Sequence, residues 1–138
     1  MAVGFYVDPC FYLIGSGDFL NSFFSTIYIK LEDSFWGSKY PLIMNELYNG
    51  RLEKENAPQA QKELQQIKEA LAKLPTTEVV WDFEDLSLSP PWGNDISEEI
   101  TNMAEYFVTS DGKNLIDVLE KALKTAIELE DGLSIDVL

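Results

Sequence analysis

The chain has 138 residues, 46% of them hydrophobic, which is the size of one ordinary domain spanning residues 1–138 and enough to bury a core without disulfide or metal staples. It carries 24 acidic residues against 10 basic ones and no histidine, for a formal net charge of -14. Such a surface is repelled by nucleic acid and by anionic membranes and attracts basic proteins or cations, unless the acidity serves solubility alone.

The opening run AVGFYVDPCFYLIGSG is rich in aromatic and β-branched residues, breaks once at Asp8-Pro9 and closes at Gly15-Ser16-Gly17, which predicts one or two strands or a hairpin. Cys10 is the single cysteine, so no intrachain disulfide forms, and its apolar strand context predicts a buried, inert thiol. The run Cys10 to Ile14 is too short to span a bilayer, and no basic segment with a long apolar run and cleavage site opens the chain; a reducing cytoplasm is the expected compartment. Asp18 suits the N-cap of a core helix from Asp18 to Glu32, because Leu20, Phe23, Phe24, Ile27 and Leu31 follow at spacings of three and four.

A loop from Asp33 to Pro41 precedes a short apolar segment, Leu42 to Tyr48, which Asn49-Gly50 ends in the manner of a helix C-cap. A second helix starts near Pro58, with a narrow stripe of Leu64, Ile67, Leu71 and Leu74 that predicts packing on the outside of the domain. From Glu78 to Phe83 the alternation predicts a strand with Val79, Trp81 and Phe83 on the core face and Val80 and Asp82 opposite. Ile96 to Val108 mixes a helical turn with a strand-like Glu105 to Val108. After Asp111-Gly112 comes an amphipathic helix with Leu115, Val118, Leu119, Ala122, Leu123, Ala126 and Ile127 on one face, stopped by Gly132. Leu133 to Leu138 alternates as a half-buried strand tied into the sheet. Strands at both ends with helices between, without β-α-β alternation, predict an α+β fold: a single domain with one mainly antiparallel sheet packed with three or four helices.

Chemistry is sparse. Lacking histidine, the chain has no Ser–His or Cys–His pair and almost no route to a zinc site. Gly15-Ser16-Gly17 before a helix lacks the rest of a phosphate-binding fingerprint and reads as a turn. Asp82, Glu84, Asp85, Asp95, Glu98 and Glu99 offer carboxylates for glycoside hydrolysis or a divalent cation, but none follows EF-hand spacing, and solvated surface is the simpler reading. No catalytic residue, metal or cofactor is assigned.

The remaining signal is aromatic side chains in irregular, acid-rich segments: Phe35-Trp36 after Glu32 and Asp33, and Trp92 inside SPPWGND. In the latter, Pro90 and Pro91 restrict the approach and Gly93 permits a sharp exit. Aromatic anchors among complementary charge compose a protein-binding hot spot, whereas tryptophans folded back as lids over the core would look the same in sequence. Trp36, Glu84, Asp85, Trp92 and Asp95 are the candidate partner-binding residues; Trp81 is assigned to the core.

The segments FYVD, IGSGDFLNSFFSTI, FWGSKYPLIMNELYNG, VVWDFEDLS, PPWGNDIS and YFVTSDGKNLIDVL, in this order over nearly the whole chain, resemble the Immunity protein 70 family of bacterial polymorphic toxin systems. The resemblance implies a small cytoplasmic protein, encoded beside a toxin, that binds the C-terminal toxin domain and neutralises it. The charge implies a basic partner, such as a nuclease whose substrate groove an acidic inhibitor can cover. A binding module for another basic protein and a carboxylate-dependent hydrolase are the alternatives.

Overall fold

The computed structural model describes residues 2–93 and 95–137. Strands β1 (Ala2–Val7) and β2 (Cys10–Ser16) form the predicted hairpin, and the last strand, β4 (Leu133–Val137), pairs with the free side of β1. A two-residue strand, β3 (Arg51–Leu52), extends β4, so the sheet runs β2-β1-β4-β3 and every pairing is antiparallel. Both ends of the chain thus meet at the centre of the sheet, and the alternation of the closing segment has its cause in that position. Leu138, the last residue of the expected strand, lies outside the described residues.

Helix α1 (Gly17–Thr26) buries Phe19, Leu20, Phe23 and Phe24, and its track continues as a π-helical turn through Leu31. Its N-cap is Ser16, whose Oγ accepts the Phe19 N–H at 3.1 Å; the sequence pointed to Asp18, which lies two residues further in and instead places its charge in the first turn, at the positive end of the helix dipole. The segment Leu42–Leu47 is also π-helical. Helix α2 (Ala57–Leu71) carries proline in its first turn as expected, its Leu64, Ile67 and Leu71 are buried, and it packs against the equally long α4 (Leu115–Leu129). A one-turn helix, α3 (Met103–Tyr106), is the structured part of 96–108, and Val108 beyond it bridges to Asn114.

Three details of the sequence reading are corrected. Helix α4 ends on Glu130 in the left-handed conformation (φ 50°), ahead of Gly132, and Ile127 at its end is exposed. Cys10 sits beside the hairpin turn and is half-buried. The strand expected over Glu78 to Phe83 does not form: Thr76–Glu78 is a 3-10 turn, and the chain beyond it is irregular, with Val80 buried and Val79, Trp81 and Phe83 half-buried. Its partner is a row of hydroxyls on α1. Ser22 and Thr26 donate to the Val80 carbonyl at 2.8 and 3.2 Å, while Thr26 and Ser25 accept the N–H groups of Val80 and Phe83 at 3.0 and 3.1 Å. Side chains satisfy a buried backbone that a sheet neighbour would otherwise satisfy.

Candidate partner-binding surface

Between the 3-10 turn at Thr76–Glu78 and α3 the described residues of 79–102 form no helix or strand, and in a compact domain a connection of this length is usually either functional or a linker. Residues 74 to 112 contain nine acidic side chains and no lysine or arginine. Glu78 pairs with Lys30 at 2.7 Å and Asp111 with Lys113 at 3.6 Å. Asp82, Glu84, Asp85, Asp95, Glu98, Glu99 and Glu105 have no cationic partner among the described residues. Their field is therefore uncompensated locally and adds to the net charge of the whole chain.

The structure brings Trp92 and Asp95 together at a cleft of about 560 Å³ beside the start of α1. Phe19, Ile14, Ile96, Ile100 and Tyr106 give it apolar walls, and Asp95 and Glu99 stand among its lining. Trp92 is 36% exposed. One edge of its indole donates to the Tyr106 hydroxyl at 2.8 Å, and its ring lies 5.4 Å from Trp81 and 6.4 Å from Phe19. Burial pushes the Tyr106 phenol above its ordinary pKa, and the bond from Trp92 works against that shift. Pro90 is buried and accepts from Gly93 N–H at 2.9 Å, closing the turn that carries Trp92. The tryptophan therefore packs beside Phe19 and at the same time forms part of the wall of an open cleft.

Trp36 and Glu84 lie together elsewhere. The Trp36 ring packs on Tyr28, Tyr48 and Phe83 at 4.9, 4.7 and 5.0 Å, and its indole N–H donates to the Met44 carbonyl at 2.7 Å. Burial first, and then the charges of Glu84 and Asp82, raise the pKa of Tyr48, so both carboxylates lie close to this aromatic cluster. Asp85 joins neither group. It is exposed and accepts from the hydroxyl and N–H of Ser87, which hold its carboxyl below the usual carboxylate range.

Two buried carboxylates were invisible among so many acids. Glu32, 1% exposed, accepts the N–H groups of Gly37, Lys39 and Tyr40 at 2.9 to 3.0 Å and so organises the whole loop that carries Trp36. Glu63 on α2 accepts from Leu42 and Ile43 at the start of the second π-helical segment. Burial raises its pKa; those two N–H groups oppose the shift, while Glu32 and Glu46 add to it. The available signal was position: Glu63 falls on the stripe Ala60, Leu64, Ile67, Leu71, where a solvated acid has no place. Among the described residues no group of three His, Cys, Asp or Glu side chains is arranged to hold a metal, and no helix is long and apolar enough to cross a membrane.

The family description Immunity protein 70 matches residues 5–135, which takes in most of the sheet, the cleft and both aromatic clusters. The chain belongs to the Immunity protein 70 family. With that membership come an immunity role and a toxin as partner. Comparison with curated proteins and with solved structures returned no match.

Proposed function

We propose that this member of the family neutralises its cognate toxin domain by stoichiometric binding, without chemical turnover, and that the irregular acidic segment 79–99 supplies much of the contact. The observation that carries this reading is the uncompensated charge: a stretch with no lysine or arginine from 74 to 112 flanks an open, aromatic-walled cleft. Trp92 and Asp95 line that cleft, Glu84 and Asp85 extend its charge along the chain, and Trp36 steadies the neighbouring aromatic cluster. A basic toxin surface is the complement, and an active-site groove built for a polyanionic substrate is the form of it that an acidic inhibitor can cover.

Two features oppose an enzymatic reading. The one carboxyl that burial raises, Glu63, is occupied by the backbone of Leu42 and Ile43 and does not line the cleft. Asp95 and Glu99 are near neighbours in one loop, with no third polar group on a different element placed to orient either of them among the hydrogen bonds of the described residues. Co-expression with the toxin domain encoded beside the gene is the test. Growth should be rescued, a one-to-one complex should co-purify, and the toxin's mass should be unchanged. Protection by strongly substoichiometric protein, or a covalently altered toxin, contradicts the proposal.

A further inference from the structure

Phe35 is 74% exposed, more than any other large hydrophobic side chain among the described residues, and it sits in a loop held by several backbone hydrogen bonds. Exposure on a loose loop would mean little, because the ring could fold back. Here the core-facing place beside it is already filled by Trp36, and the backbone is fastened at every turn. Ser34 N–H donates to the Tyr28 carbonyl at 3.0 Å, Phe35 N–H to the Glu32 carbonyl at 2.9 Å, and Ser38 N–H to the Phe35 carbonyl at 3.1 Å, in addition to the three N–H groups collected by the Glu32 carboxylate. Asp33 and Ser34 both take left-handed conformations, with φ of 51° and 65°, which side-chain-bearing residues adopt only where their surroundings impose it. A strained, over-determined turn thus holds an aromatic ring out in solvent.

We infer that Phe35 is a preset docking point for the toxin, its ring entering an apolar depression bordered by basic groups. This rests on the reading of the chain as a toxin-binding protein and adds a contact outside the acidic segment. The charge around the ring's base indicates the partner's chemistry. Asp33 lies two residues before it, Asp82 and Glu84 flank Phe83, whose ring packs 5.0 Å from Trp36, and Lys39 is the single cation of the loop. Because the loop is already ordered, seating the ring costs little further conformational entropy, and buried aromatic anchors of this kind dominate interface energetics.

The test compares wild type and Phe35→Ala for melting temperature and for affinity to the cognate toxin domain. The substitution removes a ring that packs on little, so the melting temperature should stay within about 2 °C of wild type, as for other surface changes. Toxin affinity should fall by roughly 30-fold or more, mainly through faster dissociation, as at other hot-spot aromatics. Affinity within about threefold of wild type, in a complex that neutralising Glu84, Asp85 and Asp95 still weakens, would overturn the role of Phe35 and leave the acidic surface standing. Failure of the wild-type protein to bind the toxin domain at all would overturn both.

Discussion

Trp36-Gly37 and Trp92-Gly93 are the same dipeptide in two acidic, proline-flanked loops, and the two loops are held by different means. In the first, a buried carboxylate gathers three backbone N–H groups, the indole donates to a backbone carbonyl, and the glycine (φ 75°) is pressed against the Asn45 side chain so closely that no Cβ would fit. In the second, the indole donates to a side-chain hydroxyl, two successive backbone turns, Gly93 N–H to the Pro90 carbonyl and Asp95 N–H to the Trp92 carbonyl, close without any carboxylate, and the glycine (φ 58°) faces open space. One loop is organised around a buried carboxylate, and the other leaves its tryptophan partly in water beside the cleft it borders. A recognition surface that joins a preset aromatic to a charged segment limits the entropy lost on binding.

Substitutions that strip each loop of its support sharpen or break this contrast. Glu32→Ala should have the largest effect, because three backbone donors, one buried and two part-buried, lose their acceptor at once; a loss of roughly 3 to 5 kcal/mol in urea unfolding is expected. A loss under about 1 kcal/mol would mean that the loop stands without its carboxylate. Next, Trp36→Ala should cost about 3 kcal/mol and Trp92→Ala about half as much, since the first ring is enclosed by three aromatics and the second is partly in water. Equal losses would erase the distinction between an enclosed ring and one partly in water.

The glycines give a smaller version of the same comparison. Both lie in the left-handed region, so an added Cβ costs about 1 kcal/mol at either, but at Gly37 it also displaces Asn45. Gly37→Ala should therefore be the more destabilising in thermal melts, and reversal of that order would contradict the packing described.

The smallest effect concerns the far end of the loop that Glu32 organises, where Glu63 holds Leu42 and Ile43. Its folded pKa lies above its unfolded value, so the native state binds the extra proton, and this group's contribution is most favourable below the unfolded pKa and diminishes as pH rises through the folded one. Glu63→Gln keeps Oε1 as acceptor for both N–H groups and removes the charge. Relative to wild type, the variant should gain stability as pH rises above the ordinary carboxylate range, where the wild-type carboxyl must hold its charge against burial. Parallel pH profiles of urea midpoints would show that burial does not govern this carboxyl.

Much of the scaffold was legible because its periodicities are local. The hairpin, α2 with its proline, the broad face of α4 and the closing strand all follow from spacing and turn residues, and pairing of the closing strand beside β1 accounts for its alternation. The 78–83 segment was misread because alternation of Val79, Trp81 and Phe83 says nothing of what satisfies the backbone. The answer, hydroxyls of Ser22, Ser25 and Thr26, lies more than fifty residues away in sequence. Ser16 displaced Asp18 as the cap because β2 runs straight into α1 and leaves its last residue extended, as an N-cap requires. For the surface, the aromatic and acidic composition was readable, but which member of Phe35-Trp36 turns inward depends on Glu32, and nothing local marks one glutamate among the chain's acids as the buried one.

The central claim is that uncompensated carboxylates along 79–99 draw and hold a basic toxin, and the association rate measured at low and high salt tests it most directly. Wild-type protein and a Glu84→Gln, Asp85→Asn, Asp95→Asn variant would each be mixed with the cognate toxin domain. Neutralising these exposed groups should slow association about tenfold at low salt, and the two proteins should converge as salt screens the field. Equal rates with equal salt dependence in both proteins would contradict the claim and place the toxin on another face.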